Sequence, residues 1–370
     1  MKKIGIITTQ YAPNYGALLQ TFALQKFLKQ EFGEDRVEAI NYYPAHIKDV
    51  WKVYRRGKGF KNRLLQLYLM LNPSFATKKK KLLKNFKYFI DKNISRSKGY
   101  YSMEELESAE ADYDTVICGS DQIWNISRRE EPAWFLHFTR NWKNCKKIAY
   151  APSVADKIPQ GFEEKVQRYL ENIDYISVRE DVDVEQLKAY TDKKIHHACD
   201  PVFLLSEKEW EEHLPECPIK EPYILCYFIS TGDLASDVVK KMRELTGLKV
   251  VHVNVNIRDK FNADHDIRTA GPFEFASYVK NAEYICTNSF HCTAFSILFK
   301  KNFVVLRKQM ANSRMESLVR SSGLKDRFVA KDDIASLTAE KLKADYSCSK
   351  MEQFIDESKS YLLGAIDSEK

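Results

Sequence analysis

Histidine moves protons readily near neutral pH, and one of the eight histidines in this 370-residue chain stands where a reaction could use it. His291 lies just past the apolar run Tyr284-Ile285-Cys286-Thr287, after Asn288, Ser289 and Phe290, and before a helical stretch. Such a strand-to-helix turn brings Asn288, Ser289 and His291 to the carboxyl end of a strand. The free backbone N–H groups of the next helix lie at the same point and favour an anion. A histidine that caps a helix or fills a core would occupy the same place. A second turn follows the apolar run Tyr113 to Cys118 and reads Gly119-Ser120-Asp121-Gln122-Ile123-Trp124-Asn125. Asp121 suits either a base for a hydroxyl group or a cap that holds the loop. Trp124 suits either a sugar face or the core. Asn14, Tyr15 and Gly16 lead a loop into a helix N-terminus, a place for an acceptor or phosphate contact. This loop is not a G-x-G-x-x-G, so NAD is not indicated.

The elements that would position these groups alternate. Lys3 to Thr9 reads as a buried strand, Ala17 to Phe32 as a helix stopped by Gly33, and Val37 to Tyr42 as a second strand. This opening starts a parallel, doubly wound sheet. Strands are predicted again at Tyr113–Cys118, Lys147–Ala151, Ile173–Val178 and within Ile195–Leu205, with helices at Phe162–Asn172 and Glu180–Tyr190. A polar stretch with Pro215, Pro218 and Pro222 marks a boundary. A second set then begins, with strands at Tyr223–Ile229, Lys249–Asn254, Tyr284–Thr287 and Asn302–Leu306. Its helices are Leu234–Thr246, Pro272–Asn281, Cys292–Phe299 and Ser313–Ser322, and Lys350–Ile366 is a last helix. The expected fold class is α/β, two doubly wound Rossmann-like domains facing a central cleft, in the manner of glycosyltransferase-B enzymes. The divisions are 1–206, with a basic helical insertion at about 46–98, then 221–345, then a C-terminal helix at 346–370. Ligands bind at the carboxyl ends of such strands.

The composition is globular, 44% apolar and 29% charged. The charge of +7 is uneven: Lys48 to Lys98 holds sixteen Lys/Arg against two Asp/Glu, so +14, which leaves −7 on the remainder. No secretory signal or membrane span is visible, so the expected location is the cytoplasm. The basic segment is either a solvated face, the commoner outcome, or a surface that docks on an anionic membrane at its inner face. No recognised nucleic-acid module accompanies the charge. The eight cysteines form no C-x-x-C pair and are expected to be reduced. Metal-ligand spacing is absent, since adjacent His196 and His197 would point to opposite faces of a strand.

The run Asn288-Ser289-Phe290-His291-Cys292-Thr293-Ala294-Phe295 resembles the Asn-Ser-Phe-His-Gly-Thr-Ala-Phe block of bacterial polysaccharide pyruvyl transferases. Asn14 to Gln20 and Gly119 to Asn125 are similar to two further blocks of that family. So are Ser177-Val178-Arg179-Glu180, Asp200 to Leu205, Gly271 to Phe275 and Asn312-Ser313-Arg314. The resemblance runs from about residue 4 to 330. It implies transfer of the pyruvyl group of phosphoenolpyruvate onto two hydroxyls of a sugar, forming a ketal, with no separate cofactor and no metal. It also implies His291 and Asp121 as catalytic groups. Arg179, Asn288, Ser289 and Arg314 would hold the donor, and Asn14, Tyr15, Gly16, Gln122 and Trp124 the glycan or lipid-linked oligosaccharide acceptor. Arg314 would oppose a helix dipole, which favours a ligand role. Two residues depart from the pattern. Ser289-Phe290 stands where the best-understood branch has Arg-Leu, and Cys292 stands where Gly is usual. A Cys at a helix N-terminus is either a reactive thiol or simply a small residue. These departures keep open a glycosyltransferase with a nucleotide-sugar donor. A non-catalytic glycan-binding protein is the third alternative.

Overall fold

The computed structural model describes residues 3–43, 51–53, 63, 64, 67, 72–256, 259, 261–307 and 313–368. Asn312, and the greater part of the basic segment between 44 and 71, lie outside the described residues.

Seven strands form the first sheet: β1 (Lys3–Ile7), β2 (Val37–Tyr42), β3 (Arg96–Tyr100), β4 (Tyr113–Cys118), β5 (Lys146–Ala149), β6 (Tyr175–Val178) and β7 (Ile195–His197). Six form the second: β8 (Tyr223–Tyr227), β9 (Lys249–Val253), β10 (His265–Ile267), β11 (Tyr284–Thr287), β12 (Asn302–Leu306) and β13 (Phe328–Val329). All the pairings are parallel. The strand orders are β3-β2-β1-β4-β5-β6-β7 and β10-β9-β8-β11-β12-β13. Each order reverses once, between β1 and β4 and between β8 and β11, which is where a doubly wound sheet opens a crevice for ligands. The central strands are apolar on both faces because helices cover both; β8 is buried along its whole length.

The helices with described bounds are α1 (Tyr15–Phe32), α2 (Pro73–Asn93), α3 (Met103–Glu107), α4 (Glu163–Glu171), α5 (Asp181–Leu187), α6 (Glu207–Glu211), α7 (Asp233–Thr246), α8 (Pro272–Asn281), α9 (Phe290–Leu298), α10 (Ser313–Ser321), α11 (Ala339–Leu342) and α12 (Met351–Asp367). Asn14 caps α1 through a hydrogen bond from the Ala17 N–H, so the helix starts two residues before the expected point. Likewise Ser289 caps α9, which puts His291 inside the first turn rather than ahead of it.

α1 is buried on nearly every side because it lies between the two sheets. Its Tyr15 ring stacks on Phe275 of α8 with centroids 4.5 Å apart, and its Phe22 ring meets Phe273 at 5.1 Å. The buried Gln25 amide of α1 is satisfied in the first domain: it donates to the Ser95 carbonyl and accepts from the Ser95 N–H. One hydrophobic core therefore runs from the first sheet through α1 into the second.

One expectation changes. The stretch at 46–98 is not simply a helical excursion, because it supplies residues of the edge strand β3 and five buried residues of α2, Leu82, Leu83, Phe86, Phe89 and Ile90. The C-terminal helix α12 returns to the first domain, where Ser358 accepts from the Cys199 N–H and the Tyr361 hydroxyl reaches the Ala149 carbonyl.

Candidate active site

Strand ends from both sheets converge on Asp200. This residue follows β7, is fully buried, and its Oδ1 accepts from the Val202 N–H at 3.1 Å. Its Oδ2 receives Arg179 Nη1 at 2.9 Å and the Ser120 hydroxyl at 3.2 Å, and lies 3.4 Å from His291 Nε2. Burial alone would raise this carboxyl. The neighbouring His291 and then Arg179 outweigh it and hold Asp200 well below the usual carboxylate range.

Arg179 follows β6 and is itself buried. Its Nε donates to Glu180 at 3.0 Å, and its guanidinium lies 3.9 Å from the centre of the Phe290 ring. Its Nη2 is buried without a partner. Burial would weaken the cation, but Glu180 and Asp200 more than offset that. Beside it Asp183 is pushed up, first by burial and then by the Glu180 charge. Asp183 also accepts from the Val154 N–H at 2.9 Å.

The His291 ring crosses the domain interface and lies against Gly16 of α1. A Cβ at residue 16 would come within 2.0 Å of His291 Nδ1, so only glycine leaves room for the imidazole. The imidazole is thus held between a buried carboxylate and a bare piece of helix backbone. That arrangement restricts how the ring can turn.

Asp121 occupies the first domain's switch point. Its Oδ1 accepts from the Gln122 N–H at 2.8 Å and its Oδ2 from the Thr9 hydroxyl at 3.0 Å. Its backbone has φ 82° and ψ 177°, a region essentially reserved for glycine. Strain of this kind persists where a side chain must be aimed. Gln122 is half-buried next to it. Arg314 enters from the first turn of α10, half-buried, and makes no hydrogen bond or ion pair among the described residues. Burial and then the Arg179 charge lower its proton affinity.

The structure thus brings His291, Arg179, Asp121 and Arg314 to one place, with Gly16 as the floor beneath the imidazole. Other expected contacts are corrected. Tyr15 is 1% exposed and its hydroxyl donates to the Ala270 carbonyl, so it joins the domains instead of facing an acceptor. Trp124 is buried, stacked on Phe135, with its indole N–H on the Trp134 carbonyl. Asn288 spends both ends of its amide on the Ile229 N–H and the Ser230 carbonyl and shapes the β8 loop. Ser289 is buried as the α9 cap, and Asn14 is the α1 cap. Cys292 is fully buried and its thiol is pushed up to about 12 by burial, so it is not a reactive thiol. Asp200, Glu180 and Asp183 were missed as site residues. Asp200 and Glu180 stand in the blocks Asp200-Pro201 and Arg179-Glu180, but strand neighbourship is what joins them.

The model of the polysaccharide pyruvyl transferase family matches residues 14–307. The chain belongs to that family. It is accordingly a transferase, and the family implies a polysaccharide acceptor. A comparison with curated proteins finds no match. Among solved structures, the chain is similar to a putative UDP-N-acetylglucosamine 2-epimerase from Listeria monocytogenes, with a TM-score of 0.56, 10% identity, and coverage of 100% of this chain and 98% of that one. It is also similar to the UDP-GlcNAc 2-epimerase from Neisseria meningitidis, solved bound to UDP-GlcNAc, with a TM-score of 0.53, 12% identity, and coverage of 98% and 100%. At these identities the likeness concerns the fold: two Rossmann-like domains in the glycosyltransferase-B arrangement. Among the described residues, no helix is long and apolar enough to cross a membrane.

Proposed function

We propose that this pyruvyl transferase takes phosphoenolpyruvate as donor and forms a cyclic ketal on a sugar of a surface polysaccharide or its lipid-linked precursor. The observation that carries this reading is the pairing of unspent cationic groups with a braced imidazole. Arg314 has no partner among the described residues, and Arg179 Nη2 has none either. Phosphoenolpyruvate brings a phosphate and a carboxylate that suit two guanidinium groups. In this scheme His291 protonates the methylene carbon, which becomes a methyl group and leaves C2 electrophilic. One sugar hydroxyl adds at C2, and a second displaces inorganic phosphate. One hydroxyl proton replaces the one His291 gave up, and the other leaves with the phosphate. Asp121, aimed by its strained backbone, is the group proposed to take a hydroxyl proton.

The competing donor is a nucleotide sugar, since the Neisseria enzyme of the same fold was solved with UDP-GlcNAc. Calorimetric titration with phosphoenolpyruvate and with UDP-, GDP- and CMP-sugars separates the two. Phosphoenolpyruvate binding that disappears in Arg314→Ala is the expected result. Binding of a nucleotide sugar, with none of phosphoenolpyruvate, overturns the reading. The basic segment is proposed as a contact with anionic membrane; sedimentation with anionic vesicles that falls as salt rises is the expected sign.

A further inference from the structure

A cavity of 430 Å³ is lined by Gln10 and Tyr11, which follow β1, by Asn41 and Tyr43 at the carboxyl end of β2, and by residues of α2. Thr9 bonds Asp121, and the next two residues, Gln10 and Tyr11, line the cavity. None of the residues assigned above to donor or acceptor lines it.

Three features mark it as a built site. Gln10 is 1% exposed; its amide nitrogen is spent on the Ile40 carbonyl at 2.7 Å, while its Oε1 is buried without a partner. A buried acceptor with nothing to accept from is costly to keep, so it points to a donor that arrives with a ligand. The walls carry Tyr43 and Trp51, both half-buried, and the Tyr43 ring is held by stacking on Tyr101 with centroids 5.7 Å apart. Flat aromatic faces suit the apolar face of a sugar ring. The rim carries Lys84, Lys87 and Arg96 against a single carboxylate, Asp91. Asp91 pairs with Lys87 at 3.1 Å and with Arg96 at 2.7 Å, and Lys84 has no partner among the described residues. The rim is therefore +2, the charge that matches a phosphate dianion.

We infer that this cavity binds a saccharide bearing a phosphate group, with the ring against Tyr43 and Trp51, a hydroxyl donating to Gln10 Oε1, and the phosphate at Lys84. This deepens the proposed function by giving the acceptor a seat one loop away from Asp121, and it rests on that reading. The phosphate could belong to a diphosphate-linked sugar or to a phosphodiester-linked polymer.

Saturation-transfer NMR on the full chain tests it with glucose 1-phosphate, glucose and inorganic phosphate as probes. Transfer to the ring protons of glucose 1-phosphate is expected, weaker for glucose, and lost in both Trp51→Ala and Lys84→Ala. Inorganic phosphate should compete. No transfer, or transfer that survives both substitutions, overturns the inference. UDP-glucose and a glycerol-phosphate-linked glucose then separate the two sources by which gives the stronger signal. Phosphoenolpyruvate is titrated into wild type and Lys84→Ala in parallel. Phosphoenolpyruvate binding without sugar-phosphate transfer leaves the donor reading standing and removes the acceptor seat. Transfer without phosphoenolpyruvate binding does the reverse. Phosphoenolpyruvate binding lost in Lys84→Ala would make the cavity a donor site and overturn the inference as well.

Discussion

Replacing His291 by Ala removes the proposed proton donor and one partner of the buried Asp200, so its main effect should fall on rate, with a smaller loss of stability. A loss of at least ~100-fold in turnover is expected, with a single cooperative melt retained at a lowered temperature; near-full activity would remove His291 from the chemistry. Gly16→Ala is a more telling change, because it alters no functional group. The added methyl would sit 2.0 Å from His291 Nδ1, so the imidazole must leave Asp200. Activity should fall as far as in His291→Ala, and a substituted enzyme with normal turnover would contradict the packing. Asp200→Asn should destabilise by roughly 3–5 kcal/mol, since it strips the buried Arg179 of a counter-charge; chemical denaturation reads this directly. Titration adds a sign at two acids. Asp200, depressed when folded, stabilises above the ordinary carboxylate range near pH ~4 and loses that contribution as pH falls. Asp183, raised when folded, contributes most at low pH and loses its contribution as pH rises through the raised value. Melting temperature should therefore fall towards alkaline pH in the wild type and fall less in Asp183→Asn. Parallel curves would show that Asp183 does not carry the effect.

At the scale of elements, the strands that sequence reasoning missed share one property. β3, β10 and β13 are all edge strands, with one hydrogen-bonded neighbour each. Their sequences, Arg-Ser-Lys-Gly-Tyr in β3 and His-Asp-Ile in β10, lack the apolar run that central strands show. An edge strand meets solvent, so it need not be apolar and is better protected if it is not. By contrast α8 was legible to the residue, because Pro272 opens it and Glu274 folds back onto the Gly271 N–H. The site divides in the same way. His291 and Asp121 were legible because a polar residue just past an apolar strand announces a carboxyl end. Asp200 was not, because its meaning comes from partners on other strand ends, Arg179 and Ser120, which lie 21 and 80 residues away in sequence. Between elements, Asp181 at the start of α5 forms a bidentate pair with Arg320 of α10 at 2.7 and 2.8 Å, and its N–H donates to Ser317. α10 is the helix that carries Arg314. Arg320→Ala should therefore weaken phosphoenolpyruvate binding measured by calorimetry, without touching the donor, and an unchanged affinity would detach Arg314's placement from this pair.

On the scale of the whole molecule, the two domains share a core, so they are not expected to melt apart. Tyr15→Phe removes only the hydroxyl on the Ala270 carbonyl and should cost about 1 kcal/mol, seen as a small shift of a single transition; two separate transitions in calorimetry would show the domains to be independent. The return of α12 has a different consequence, felt while the chain is being made. The face of the first sheet that takes Tyr361 is laid down by residue 197, but its cover begins at Met351. At roughly 5–20 residues per second on the ribosome, that face waits on the order of ten seconds or more for its lid. The amino-terminal half, although synthesised first, is thus among the last parts to be finished, and nascent chains halted before residue 351 should be the ones that recruit chaperones.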